Sequence, residues 1–408
     1  MTSPASTNGV DGNGRMWTWT DLRDRYEVVI IGAGVHGLAA AYYLAKRGIT
    51  DVAVLDKAYL GAGGSGRNTA ILRSNYRTPE GSLFYEESLK LYEQMSSELD
   101  FNVMFSRQGH LTLAHNERGV AVQRERAEVN QLLGIDSRLI FPEEIAELVP
   151  GLDLSDRPRF PIQAGLYHPP GGIIRHDAVV WAYARGANRM GVGLHPFTEV
   201  TDIRVEGGAV TGVVTNRGQI KTGTVVNATA GWSSTVSRMA GVDLPIVTHP
   251  LQAYVTEPLK PWLNTVVVSG TLHVYLSQTG RGELVIGSVI DPYSSYNFSS
   301  TLPFLEQTVS HVVELFPFLT EARVMRQWTG LCDITPDFSP IIGSVDGLKG
   351  YYLDVGWGTY GFKAGPISGK MVAETIATGQ VPDLIAPFGY SRFHDDLLVG
   401  ERAAAATH

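Results

Sequence analysis

Cysteine is almost absent from this chain: Cys332 stands alone in 408 residues, which excludes a disulfide framework and cysteine-rich metal sites. Nothing asks for an oxidising compartment, so the cytoplasm is the expected one. Basic runs are missing too. The formal charge is −8, from 41 acidic against 33 basic residues, and no cluster of Lys and Arg offers a footprint for nucleic acid. No apolar run approaches the ~20 residues of a membrane span. The N-terminus, MTSPASTNGVDGNGR, lacks the basic and apolar regions of a signal peptide and reads as a flexible lead. Sequence repeats are absent as well. Apolar residues make up 44% and charged ones 18%, ordinary globular usage, so the length predicts two or three domains. Glycine is in excess, at 45 residues, and its placement carries the next step.

Residues 26–31 (YEVVII) read as a buried strand, 35–47 (VHGLAAAYYLAKR) as a helix and 51–55 (DVAVL) as a second strand closing on Asp56. Strand, glycine turn, helix and strand within about 30 residues form a βαβ unit with parallel strands. Helices are predicted over 79–99, 117–133 (exposed), 177–190 (capped by Asp177) and 301–315. A hairpin is predicted over 199–217, a buried strand over 224–230 and an antiparallel sheet within 251–290. The last unit, 350–379, is a strand, the glycine-rich turn 356–361 and a helix near 366–378 stopped by Gly379. Parallel-sheet elements thus fall at the start, middle and end of an α/β chain, with antiparallel material between. The expected division is a lead (1–24), a discontinuous nucleotide-binding domain (25–80, 165–235, 325–395), a substrate domain (81–164, 236–324) and a tail (396–408).

Gly32-Ala-Gly34-Val35-His36-Gly37 is GxGxxG between strand and helix, and Asp56 follows Gly37 by 19 residues, near the expected ~20. Gly32 suits the tight turn, Gly34 the approach of a pyrophosphate and Gly37 the packing of helix on strand. The helix N-terminus then faces the phosphates, and Asp56 can accept from ribose hydroxyls and repel a 2′-phosphate. His36 is read as pointing off the helix start. Spacing alone leaves FAD and NAD open; a second glycine turn some 300 residues downstream suits the longer cofactor, FAD.

The segments VVIIGAGVHGLAAAYYLAKRGITDVAVLDK, GRNTAILRSNY (66–76), GGIIRHDAVVWA (171–182), VVNATAGW (225–232) and RQWTGLCDITPDFSPIIG with YYLDVGWGTYGFKAGPISGK (326–370) occur in the order found in D-amino-acid-oxidase and glycine-oxidase flavoproteins. The chain resembles that class over 26–395, and within it the β subunits of heterotetrameric sarcosine oxidases. The resemblance implies a Rossmann-like FAD domain of glutathione-reductase type, interleaved with an antiparallel-sheet substrate domain that roofs the flavin. It implies oxidation of sarcosine or a related N-alkyl or cyclic amino acid to the imine, within a complex with α-type and smaller subunits, tetrahydrofolate acting through the partner. Electrons are expected to pass to FMN and then to oxygen.

Lys363, in GFKAG, is unusual in a chain with 8 lysines against 25 arginines. The resemblance makes it a carboxylate-binding residue beside the flavin; the plain alternative is a helix cap or a snorkelling side chain. Arg73, after an apolar run, is expected to share that carboxylate, or else to pair with Glu80. Tyr275 matches a pocket tyrosine but reads equally as core. Tyr360 stands where the β subunits carry glycine and adds bulk beside Lys363. The expected cofactor contacts further include Lys57, Arg67, Asn68, Val200, Ala230, Trp232, Gly356, Gly358 and Gly361. His176, before a helix, matches the histidine that carries FMN covalently; on pattern alone it is a capping or surface residue, and His168 is a competitor read as a loop residue. Where monomeric relatives attach FAD to cysteine this chain has Gly330, two residues from Cys332, so FAD is expected to be noncovalent. Their oxygen-activating lysine aligns with Val285. Two other readings stay open: a self-sufficient FAD amino-acid oxidase or dehydrogenase of glycine-oxidase, D-amino-acid or proline type without FMN, and a non-catalytic FAD-binding subunit.

Overall fold

The computed structural model describes residues 15–401; the first fourteen residues of the expected lead and the last seven of the expected tail lie outside them. Val28–Ile31, entirely buried, lies inside a nine-stranded sheet. It pairs in parallel with Val52–Leu55 on one side and Thr224–Asn227 on the other. Gly193–His195 extends one edge. Beyond Thr224–Asn227 comes Leu348–Val355, which slots between that strand and the hairpin Val200–Glu206/Ala209–Thr215. β-Branched runs buried on both faces suit such a parallel arrangement.

The helix Val35–Lys46 packs against the C-terminal helix Gly361–Thr378. Their closeness is written in the sequence as glycines spaced by four: a Cβ on Gly365 would lie 2.5 Å from Val35, and one on Gly369 would lie 2.5 Å from the Ala40 backbone nitrogen. Residues four apart share a helix face, so these glycines let the two backbones touch. The C-terminal helix starts five residues earlier than its expected bound, because the interior Pro366 does not stop it. Pro366 has no N–H to give to the Phe362 carbonyl, and the Tyr92 hydroxyl donates to that carbonyl instead. Ser88 likewise donates to the Lys363 carbonyl at 2.6 Å. In the helix His176–Arg189, Asp177 sits in the first turn, paired with Arg175, and is not the cap.

An eight-stranded sheet forms the second layer, antiparallel except where Val266–Ser269 meets His110–Ala114. Two of its strands, Ala164–His168 and Val324–Ile334, come from stretches assigned above to the nucleotide-binding domain. Conversely, the helix Pro79–Glu98 packs its buried Phe84, Leu89, Tyr92 and Met95 into the core of the nucleotide-binding layer. The crossings therefore lie away from the expected cuts at 81, 165 and 325. Apolar alternation decides which layer an element joins, and motif boundaries do not record it. A small sheet of Ile71–Leu72, Gly172–Ile173 and Ser106–Arg107 carries Arg73 at the end of its first strand.

Candidate active site

A cavity of about 850 Å³ runs between the layers, bordered by Ile31 and Leu55 of the first sheet and by Leu251, Val268 and Tyr275 of the second. Every site residue expected from the sequence borders it except Gly37, Gly356 and His176.

At one end lies the glycine loop. Gly32 has φ +109°, and a Cβ there would stand 2.3 Å from the Ala228 oxygen. On Gly37 it would stand 2.0 Å from the Gly32 oxygen, so Gly37 acts behind the cavity wall by letting the helix close on the turn. The helix Val35–Lys46 has no acidic residue in its first turn and no side-chain cap, which leaves its positive end open to an anion. One of its amides, Val35 N–H, donates to Ser65 Oγ at 2.9 Å. Asp56 accepts from Ala33 N–H at 2.9 Å and Ala58 N–H at 2.8 Å, so it shapes the loop as well as bordering the cavity. Burial raises its pKa and those two amides pull it back. Lys57 lies over the Trp232 ring at 3.7 Å, and Arg67 over Phe298 at 4.5 Å. Ala230 is left-handed at φ +47°, a strain of order 1 kcal/mol for a residue with a Cβ. Asn68 is spent locally, donating to Ser65 O and accepting from Ala70 N–H.

His36 does not point away from the helix start. Its ring stacks on Trp357 at 4.5 Å, Nε2–H donates to the Gly361 carbonyl at 2.8 Å, and Nδ1 lies 3.0 Å from Asp354 Oδ1. Asp354 also accepts from the Trp357 indole and the Ser368 hydroxyl. The two glycine turns are thereby pinned together. Gly356 stands behind the wall, its N–H donating to the buried Asp333 at 2.6 Å. Burial pushes the Asp333 carboxyl up to about 6 against that bond.

Lys363, in the first turn of its helix and two residues after Gly361, borders the cavity. Burial, then the positive charge of Arg73, lowers its pKa to about 7. Arg73 is buried, donates to Asn75 O and Oδ1 at 3.0 and 3.1 Å, and lies over the Tyr76 ring at 4.3 Å. It makes no ion pair with Glu80 among the described residues. Tyr360 packs edge-on against Tyr76 at 5.4 Å, with the Lys363 amine 5.9 Å from its own ring. Tyr275 reaches across its strand partner Gly287, where a Cβ would stand 2.2 Å from the Tyr275 hydroxyl oxygen. Its pKa rises to about 12, chiefly by burial.

Sequence reasoning missed two residues here. Arg126 lies on the helix read as merely exposed, yet it is buried, and it donates to the same Asn75 carbonyl as Arg73. Burial and then Arg73 lower its pKa to about 9. His110 begins its strand, is buried, and has no hydrogen-bond partner for Nδ1 among the described residues; burial and the surrounding cations hold it neutral. Neither carries a local signal, since the pocket end exists only after the layers pack. His168 is buried, with Nδ1–H donating to Asp136 O at 2.7 Å, and is not a loop residue. Of the strand Glu283–Ile290, Ser288 borders the cavity and Val285 does not. His176 lies at a helix start outside the cavity lining, half-buried beside the exposed Arg175.

A family model described as "FAD dependent oxidoreductase", DAO, matches residues 27–375. The chain belongs to the DAO family. It is similar to "Sarcosine oxidase subunit beta" of Arthrobacter sp, 45% identical over 96% of each chain. The protein of that description from Rhodobacter capsulatus is 43% identical over 96% of this chain and 94% of its own. Among solved structures, "L-proline dehydrogenase from P.horikoshii" is 32% identical, with a TM-score of 0.86 over 92% of this chain and 99% of that one. This DAO-family oxidoreductase has the residues FAD requires. A glycine cradle that a Cβ would fill meets an uncapped helix N-terminus, a carboxylate at the second strand end stands beside them, and one cavity continues to the second glycine turn.

Proposed function

We propose that this enzyme oxidises a carboxylated secondary amine, sarcosine or a related N-alkyl or cyclic amino acid, to the imine. FAD, when bound, supplies the acceptor for the hydride equivalent leaving the carbon next to nitrogen. The observation that carries the reading is that Arg73 and Lys363, 290 positions apart in the sequence, border one cavity with the glycine loop. Arg73 offers a planar fork and Lys363 a point charge to the same carboxylate. The neutral His110 and the Tyr275 hydroxyl face the remainder of the substrate. The Cys332 thiol is buried and pushed well above its ordinary pKa, so it is no nucleophile for a flavin, and FAD is held noncovalently.

The same reading makes the chain the β-type catalytic subunit of a complex with α-type and smaller subunits. His176 is the covalent site of FMN at the interface, oxygen is the final acceptor, and a partner captures the one-carbon product on tetrahydrofolate. Support comes from relatives named as a subunit and from the place of His176, half-buried outside the FAD cavity. The test is acid precipitation of the native complex: one flavin stays on the polypeptide and FAD is released, and His176→Ala abolishes only the retained flavin. Release of all flavin from a preparation containing the partner subunits refutes the tether. A self-sufficient amine dehydrogenase is the second reading, favoured by the likeness to a protein named as a proline dehydrogenase; full turnover by the isolated chain with one flavin establishes it.

A further inference from the structure

Next to Arg73, with which Arg126 shares the Asn75 carbonyl, the cavity is bordered by an arm of Arg77, Arg118, Gln123 and Arg126. The arm runs from the exposed Arg77 and Arg118 to the buried Arg126. Among the described residues Arg77 and Arg118 make no ion pair. Two carboxylates stand close to this end. Glu401 is spent on Thr78 N–H, Thr78 Oγ–H and Arg77 N–H, where it closes the start of the helix Pro79–Glu98. Glu86 takes the Ser74 hydroxyl at 2.6 Å. The charge of Glu401 also acts on Arg126, so four arginines and Lys363 border this end against the two carboxylates, and positive charge is in excess.

One carboxylate satisfies Arg73 and Lys363. The rest of a zwitterionic amino acid is an ammonium group, which this surround repels. A second acidic group on the substrate, reaching into the arm, meets Arg77 and Arg118, which make no ion pair among the described residues, and offsets the repulsion.

We propose that the arm is a second anion subsite, formed by Arg77, Arg118 and Arg126, which makes dicarboxylic secondary amines the preferred substrate class; this rests on the amine oxidation proposed above. Buried Arg126 orients the inner end and the two exposed arginines receive the distal carboxylate. Bidentate pairing with guanidinium suits a carboxylate better than a hydroxyl or amide.

The experiment compares N-methylaspartate with N-methylalanine, which differ by one carboxylate, as reductants of the FAD in the holoenzyme under anaerobic conditions. N-Methylaspartate is expected to have a kcat/KM at least about tenfold higher, the range of one charge-assisted hydrogen bond. That ratio is expected to collapse toward one in the double variant Arg77→Gln/Arg118→Gln, whose changes lie on the surface and spare the core. A wild-type ratio at or below one, or a ratio unchanged in the double variant, overturns the proposal. If neither amine reduces the flavin, the proposed reaction fails separately, and the subsite is read from the FAD absorbance on titration with succinate against propionate. Succinate binding at least about tenfold tighter, with the difference lost in the double variant, supports the subsite; equal affinities overturn it.

Discussion

Replacing Lys363 with methionine removes the ammonium and keeps nearly all of the stem, so the cavity keeps its shape while its charge changes. The amine is held at a pKa of about 7, against an ordinary 10.5, by burial and then by Arg73. The unfolded chain therefore binds more protons than the folded one between those values. Stability of the FAD-free protein rises with pH across that window, and below it the cost of burying the charge is present in full. Lys363→Met should raise the Tm of the FAD-free protein at about pH 6 and flatten its rise toward about pH 10. Catalysis moves the other way. A charge-assisted hydrogen bond to the substrate carboxylate contributes about 1.5–3 kcal/mol, and about 1.4 kcal/mol is tenfold, so kcat/KM should fall by roughly 10- to 150-fold. Calorimetry of the FAD-free protein and anaerobic flavin reduction at measured FAD content check the two halves. A variant with full FAD and kcat/KM within about threefold of wild type refutes the carboxylate role. A variant less stable than wild type at about pH 6 refutes the desolvation argument.

Gly37→Ala places a Cβ 2.0 Å from a backbone oxygen that cannot retreat, so the purified chain should lose bound FAD; wild-type FAD content, measured by absorbance, would falsify the cradle. Gly287→Ala drives a methyl group into the Tyr275 ring edge and should raise KM by about tenfold, the range of one pocket contact, at unchanged FAD content. An unchanged KM would remove Tyr275 from the pocket. Tyr92→Phe leaves the Phe362 carbonyl without a donor, since Pro366 has none to give. Denaturant unfolding should show a loss of about 1–3 kcal/mol for that buried acceptor, and a loss below about 0.5 kcal/mol would show the carbonyl satisfied in another way.

The first βαβ unit was legible because every signal there is local: residues 28–55 contain the strands, the helix, the three glycines and Asp56. The α/β class followed from it, the FAD assignment from the second glycine turn and the resemblance, and both stand. Less legible was anything that depends on what packs against what. Gly361 reads as the close of the glycine turn and Gly369 as part of the helix after it, with nothing to mark a helix contact, yet Gly365 and Gly369 set the approach of two helices. His36 reads as a bystander in the loop until Asp354 and Gly361, more than 300 positions downstream, come to meet it. Arg126 sits in the run QRERAE (123–128), where no apolar stripe marks an inward face. Its burial comes from the backbone carbonyl of Asn75 on another element. Pairing across a sheet is also silent in a single strand, which is why Val324–Ile334 joined the layer opposite to the one its neighbours suggested.

The strand Leu348–Val355 fills the gap between Thr224–Asn227 and Ala209–Thr215, and the helix after it holds His36 in place. A ribosome making this protein from its N-terminus exposes the glycine loop early, yet the wall of the cofactor's seat at residues 358–363, with the strand Leu348–Val355 that leads to it, emerges only some 300 residues later. Capture of FAD is therefore expected to wait until that late segment has folded against the glycine loop. Products truncated before Leu348, although they contain the whole GxGxxG unit, are expected to be colourless, and the open gap they leave in a parallel sheet is a target for chaperones and proteases.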